Sequence, residues 1–403
     1  MMKLPRMIAT AAIAFAFGAI ALFLSLPVQQ AEAASRTFHS DTTITSDQTI
    51  ASGETWTVYP GVKLTIHSGV TISNFGTIDN HGTIDNKGTI GSDGTIYNSD
   101  SITNEGTIYN NFGGYIDNSP IGTIYGVTIN NQGDLNNDGT ISNRYGATID
   151  NTGIINNFRE ISNGGSITND NTIGNDGTVD NGVDGVIFND PGAVFFNNLG
   201  GTINNDGRIE NGGTIDNNAG TVNNRNIFGN SFNGIIYNKS GAAINNSDTF
   251  FNSGSVFNSG TLSNSGTIYN SGTIDNSGTI YNSGTIDNSY GIIYNRSGAT
   301  IGNDGTISNF YGSIDNGNGI INNAGTILNN SGGNIFNDSG TINNSGTIDN
   351  SATFGNDDTI NNSIGGTINN NFGGIIGNGG IINNYGTISN NDEGTINNYV
   401  TIN

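Results

Sequence analysis

The sequence predicts an all-β chain folded as a single parallel β-helix, a β-solenoid with about three short strands per coil. Three observations predict it. A unit written most plainly as GTIYNSGTIDNSGTIYNSGTIDNS between Gly266 and Ser289 recurs along the chain, with one aliphatic anchor per unit. The recurrence keeps phase: of 49 steps between the 50 anchors from Ile72 to Ile396, 30 span six residues and 13 span eight. The composition also excludes several close-packed globular cores, since 403 residues include 62 Gly and 72 Asn and only 33 % are hydrophobic. Fixed phase separates an ordered stack from a disordered Asn-rich tract.

Residues 1–33 read as a secretory signal peptide. Lys3 and Arg6 precede an apolar run from Ile8 to Leu26, and Ala31-Glu32-Ala33 supplies small residues for cleavage. An uncleaved anchor is the alternative, because the run approaches spanning length. Nothing else in the sequence would hold the chain in a membrane after cleavage.

Residues 34–73 read as capping coils. Ile44, Ile50, Val58, Ile66 and Ile72 continue the anchor spacing, while Thr, Val and the single Trp56 replace the Asn unit. Terminal repeats need such atypical residues because one end of a stack would otherwise be bare.

Residues 74–403 form the Asn/Gly-rich repeat. One Ile per hexamer cannot be buried within its own unit, but stacked coils bury each Ile on the next. Alternation places the anchor and the Asn two residues later on one face of a short strand. Ile78, Ile84, Ile268, Ile274, Ile280 and Ile286 are therefore assigned to an inner aliphatic ladder. Asn80, Asn86, Asn98, Asn270, Asn276, Asn282 and Asn288 are assigned to an inner Asn ladder at the corner. An exposed Asn array for ice, glycan or metal is the competing reading. Asn and Gly are expected to supply left-handed backbone at the corners. Eight-residue steps preserve strand parity and place their two extra residues at a corner, as in Ile368–Ile376 and Ile116–Ile124.

Coil size follows from charge. Two units per coil would stack Asp275 on Asp287, a like-charge pair, whereas three units place Tyr269 against Asp287. Three are preferred. The C-terminal GTINNYVTIN stops in mid-repeat, and an open edge there could template another chain.

GTIxNxGTI strings of this kind resemble the repeats of filamentous-haemagglutinin-like and other Asn/Gly-rich surface adhesins. The resemblance covers about Thr42 to Asn403 and implies an exported, right-handed parallel β-helix used in surface structure or adhesion. The left-handed hexapeptide helix of acyltransferases shares the six-residue step but tolerates the eights less well.

Chemistry is sparse. There is no Cys for disulfides or thiolate metal sites, and 33 acids against 11 bases give a net charge of −22, which excludes electrostatic nucleic-acid binding. Outward Asp79, Asp85, Asp117, Asp150, Asp180, Asp216, Asp275, Asp287, Asp315 and Asp349 could hold calcium between coils, or form a solvated acidic face. No other cofactor is expected. Outward Tyr97, Tyr109, Tyr125, Tyr237, Tyr269, Tyr281 and Tyr294 could stack on sugars, or pack across strands. Tyr269, Asp275, Tyr281 and Asp287 are assigned to a contact face. His39, His67 and His81 form no legible nucleophile-base-acid set, and no enzyme is expected. The sequence thus reads as a secreted structural or adhesive rod at the cell surface or in extracellular matrix. Its partners would be itself, end to end or laterally, cell-surface glycans or other surface proteins. A polysaccharide-active or glycan-binding β-helix and an ice-binding protein are the alternatives.

Overall fold

The computed structural model describes residues 35–120, 126–391 and 393–403, and these described residues form 55 short strands and no helix. The leader assigned to residues 1–33 lies outside the described residues. Each strand pairs in parallel with the strands three before and three after it, so consecutive strands fall on three different sheets. Thr267–Asn270 lies in sheet B, Thr273–Asn276 in sheet C and Thr279–Asn282 in sheet A. Three strands complete a coil, and the stack has about 18 turns, roughly 85 Å at ~4.8 Å per strand step. Tyr269 stands in register with Asp287, the pairing that three units per coil require.

The core is one anchor per strand. Ile268, Ile274, Ile280 and Ile286 are at most 1 % exposed, and each meets its equivalent one coil away. Phe replaces Ile without breaking the column: Phe228 and Phe250 stack with ring centroids 4.9 Å apart.

Backbone groups at the six-residue corners are satisfied from coil to coil, while eight-residue corners add a bond within the turn, as from the Gly114 amide to the Asn111 carbonyl. Ser277 and Gly278 both donate their amides to the Asn258 carbonyl, at 2.7 and 2.9 Å, and Thr279 donates to the Gly260 carbonyl at 2.9 Å. This geometry explains the repeat glycine, and the reason differs from the one expected. Gly278 does not have a positive φ; a Cβ there would collide with the Gly260 carbonyl oxygen of the coil below. Glycine is required for close backbone approach. Left-handed backbone appears instead in the lengthened corners. Gly113, Gly192 and Gly298 adopt it at the fifth position after the anchor in eight-residue steps, and Ala219, Tyr290, Tyr311 and Asn318 at the fourth in seven-residue steps. One left-handed residue absorbs the extra length.

Two registers differ from expectation. In the first coils Trp56 pairs with Ile78 and Leu64 with Ile84, while Val58 pairs with Asn80 and Ile66 with Asn86. Ile50 likewise meets Asn74, and Ile44 meets Ile66. Ile44, Ile50, Val58 and Ile66 thus occupy the Asn level, not the anchor level. In Thr55–Val58 and Lys63–Ile66 both inner positions are apolar, and in the two strands before them the anchor level holds Thr42 and Gln48, so aliphatic spacing alone selects the wrong position. The second difference follows Ile116. Among the described residues the next strand after Tyr115–Asn118 in sheet A is Val127–Asn131 in sheet B, whose anchor is Ile129. The step from Ile116 is therefore longer than eight, and Ile124 lies outside the described residues.

Asn74, Asn80 and Asn86 begin the inner Asn columns above these apolar positions. Each column then runs one way. Asn80 Nδ2 donates to Asn98 Oδ1 at 2.7 Å, and Asn98 Nδ2 to Asn118 Oδ1 at 2.7 Å. A second bond from the same nitrogen meets the carbonyl that opens the strand following the acceptor Asn in the next coil, as from Asn80 to Ser101 at 2.8 Å. The amide thus satisfies a partly buried carbonyl at corner after corner of the repeat coils. Asn86 Oδ1 has no donor because Ile66 lies below it. Asn110 Oδ1 has none because Ser92, the residue below, is bonded to the Gly94 carbonyl.

Two predictions follow from these contacts. Gly278→Ala should destabilise the fold by about 1–3 kcal/mol through overpacking, whereas Gly377→Ala, where a Cβ would meet nothing within 4 Å, should be near neutral. Thermal melts of the two variants check this. Ser92→Asn should give Asn110 its missing donor and stabilise by about 0.5–1.5 kcal/mol, read in a denaturant titration.

Candidate functional site

The three outward rows differ in chemistry because consecutive repeat units face different directions. Sheet C carries, in successive coils, Phe196, Asp216, Tyr237, Phe257, Asp275, Tyr294, Asp315 and Phe336. Aromatic and carboxylate side chains interleave without a break over roughly 34 Å at ~4.8 Å per step. Tyr237 and Phe257 stack at 5.3 Å. Tyr294 lies under the Arg296 guanidinium at 4.2 Å, and Arg296 pairs with Asp275 through bonds of 2.7 and 2.8 Å. The carboxylate beside it raises the Arg296 pKa, burial opposing. Sheet B carries the shorter set Phe251, Tyr269 and Asp287, with the first two rings stacked at 5.2 Å. Sheet A is polar, dominated by Asn and Ser.

This placement separates the residues assigned to one contact face. Tyr269 and Asp287 adjoin on sheet B, but Asp275 projects from sheet C and Tyr281 from sheet A. Neighbours in sequence are about 120° apart around a three-sided coil; neighbours in space are one coil apart. Tyr97 is on sheet A, Tyr109, Tyr237 and Tyr294 are on sheet C, and Tyr125 lies outside the described residues. The assigned inner residues stand as follows. Ile78 and Ile84 are 3 % and 1 % exposed. Asn80, Asn86, Asn98, Asn270, Asn276, Asn282 and Asn288 are buried, and Asn270 Nδ2 reaches Asn288 Oδ1 at 2.7 Å, Asn276 reaches Asn295 at 2.9 Å and Asn282 reaches Asn303 at 2.8 Å.

The outward Asp residues likewise divide among the sheets. Asp79, Asp117 and Asp180 are on A, Asp85, Asp150, Asp287 and Asp349 on B, and Asp216, Asp275 and Asp315 on C. Among the described residues no three His, Asp or Glu side chains converge as metal ligands. Several of these carboxylates have a cation instead, following a rule not visible before coil size is known. The cation sits two residues beyond the residue stacked on the Asp from the next coil. Arg144 meets Asp117 at 2.7 Å, Lys239 meets Asp216 at 2.6 Å and Arg296 meets Asp275. Near the N-terminus Lys63 meets Asp85 at 2.6 Å, and that hydrogen bond holds the Lys63 pKa up.

Other acids stack on acids. Asp170 and Asp190 occupy equivalent corner positions one coil apart. Burial first, then the bond to Asp170 and its charge, push the Asp190 pKa up. Asp150 is raised by burial, with Asp170 adding to it, and Asp315 by burial and then Asp338. The three histidines stay near the first coils: His39 packs on Tyr59 at 4.3 Å, His67 Nδ1 lies 2.9 Å from the Ser68 carbonyl and His81 lies 3.1 Å from Asp79.

The haemagglutinin-repeat family model matches residues 61–112, 118–190 and 197–272. No curated protein sequence matches the chain. Among solved structures it is similar to one described as "Crystal structure of TibC-catalyzed hyper-glycosylated TibA55-350 fragment". That likeness has 18 % identity, covers 89 % of this chain and 98 % of the other, and has a TM-score of 0.26. Haemagglutinin repeats on a β-solenoid fit an adhesin-like surface protein.

A raised carboxylate pKa favours the folded state when the group is protonated, so this contribution is present at low pH and lost as pH rises through the folded-state pKa. The Asp170–Asp190 contact should therefore stabilise the fold as pH falls from neutrality toward about pH 4. Asp190→Asn should raise the melting temperature at pH 7 and flatten that pH dependence, measured by melts across the range.

Proposed function

We propose that this chain, a β-solenoid of filamentous-haemagglutinin-like repeats, is an exported, non-catalytic rod that displays a recognition face at or beyond the cell surface. The observation that carries the reading is the sheet C row from Phe196 to Phe336. Half-exposed aromatics such as Tyr237, Phe257 and Phe336, at 37, 38 and 37 % exposure, stand on strands held by the continuous ladder. Large, rigid amphipathic side chains give contact area at low entropic cost. The interleaved carboxylates supply directional acceptors and keep the row wetted. Its partners are surface structures or other proteins presented by cells.

The leader at residues 1–33 supports export, and the coils of residues 34–73 support a capping role. There, Arg36 lies over the Phe38 and Trp56 rings at 4.7 and 5.3 Å. The scattering of His39, His67 and His81 away from the Asp170–Asp190 pair supports a role without catalysis. The inner position of the Asn columns supports a structural role for them, since their donors are engaged within the stack.

Replacing Tyr237, Phe257, Tyr294 and Phe336 together by Ser should reduce attachment of protein-coated beads to target cells at least about tenfold, as loss of aromatic anchors does. The melting temperature should stay within a few degrees, because the side chains project outward. Undiminished attachment by the folded variant would remove sheet C as the recognition face.

A further inference from the structure

The polar face, sheet A, contains a second site of different chemistry. Its outward row is a half-buried amide ladder that runs opposite to the inner one. Asn204 Nδ2 donates to Asp180 at 2.7 Å, Asn223 to Asn204 at 2.9 Å and Asn245 to Asn223 at 2.9 Å. The ladder then stops for three coils, occupied by Ser263, Tyr281 and Gly302. It resumes at Asn322, with Asn343 donating to Asn322 and Asn361 to Asn343, each at 2.9 Å. The interruption leaves an acceptor, Asn245 Oδ1, at one end of the gap and a donor, Asn322 Nδ2, at the other.

A groove of 630 Å³ lies at this break, between the outward row and the corner hydroxyls of Ser247, Ser265 and Ser283. Its volume is in the range of small-ligand sites. Gly302 shapes it. A Cβ at Gly302 would come within 3.3 Å of the Tyr281 ring, so the ring leans over that position and remains 56 % exposed. The result is an open trough lined by amides and hydroxyls with one aromatic platform.

From this chemistry we infer that the groove binds a segment of neutral glycan lying along the rod axis. The amides offer donors and acceptors to sugar hydroxyls, and the Tyr281 ring offers an apolar surface to a pyranose face. The Ser265 and Ser283 oxygens, whose own hydrogens go to the Asn246 and Asn264 carbonyls, offer acceptors. No Lys or Arg lines the groove, Asp304 adds a negative charge and the whole chain carries −22, so a sulfated or uronate chain is repelled. The gap from Asn245 to Asn322 spans four strand steps, roughly 19 Å at ~4.8 Å each, which accommodates several sugar rings. An extended peptide would pair with an open strand edge, and the strands of this wall already have partners on both sides. The inference deepens the adhesive reading above and rests on it for biological purpose, but its site and test are separate.

The test is calorimetric titration of the purified chain with cellohexaose, chitohexaose, maltohexaose and mannohexaose, with a heparin hexasaccharide as the anionic probe. At least one neutral hexaose should bind with a millimolar or lower Kd, and heparin more weakly than it. Tyr281→Ala should weaken that binding about tenfold or more, and Gly302→Val should weaken it by displacing the ring. Tyr97→Ala, on the same sheet but outside the groove, should leave it unchanged. Circular dichroism keeps the variants comparable, since Tyr281 and Tyr97 are both exposed. Four silent neutral titrations, preference for heparin, or equal loss in Tyr281→Ala and Tyr97→Ala would each overturn the groove as a neutral-glycan site. Bead attachment by Tyr281→Ala separates the two readings: retained attachment with lost hexaose binding leaves the sheet C proposal standing.

Discussion

Every property of this fold depends on the strand-to-strand hydrogen-bond step, ~4.8 Å, repeated along three walls. Once each strand pairs with its equivalent in the next coil, every side chain sits on a counterpart at the same height. Inside the repeat coils an apolar anchor then meets an apolar anchor above and below, and an amide meets an amide or another polar partner. At the start of the Asn columns an amide rests on an aliphatic side chain, as Asn80 does on Val58. The Ile and Asn columns are the two solutions. The aliphatic one is non-directional and accepts Phe, Val or Leu. The amide one is directional, and its exceptions are visible as unbonded oxygens at Asn86 and Asn110.

The same step explains the cost and the use of glycine. A hexameric unit leaves so little backbone between strands that the residue two before the anchor is pressed against the coil below. Glycine there is a packing requirement. When the corner is lengthened by two residues a left-handed turn takes up the extra length, and when lengthened by one that conformation falls on residues such as Tyr290 and Tyr311, at φ of 64° and 51°. The glycine two before the next anchor stays pressed against the coil below in both cases, as at Gly114 and Gly291. Those rings stack on each other at 5.6 Å, which offsets part of the strain of a bulky residue in that region. The regular corners and the strained ones follow from one constraint applied to different lengths.

Function is arranged across this periodicity. The outward position after the anchor is unconstrained by the core, and successive units send it to sheets A, B and C in turn. A run of varied residues along the chain is thereby sorted into three faces: aromatic and acidic on C, mixed on B, amide-rich on A. The ion pairs follow the same sorting, because Arg144, Lys239 and Arg296 reach carboxylates one coil away rather than along their own strands.

The period of Ile and Asn was legible in the sequence because a one-dimensional stack writes its core once per unit, and no distant segment competes for it. Units per coil were legible from charge, through the Tyr269 and Asp287 pairing. The register of the first coils was not. Val58 and Trp56 are both apolar and both inward, so only pairing with Ile78 and Asn80 decides which column each joins. The composition of each face was hidden for a related reason. Sequence order runs around the rod and recognition runs along it, so Phe257 and Asp275 become neighbours only when the coil closes.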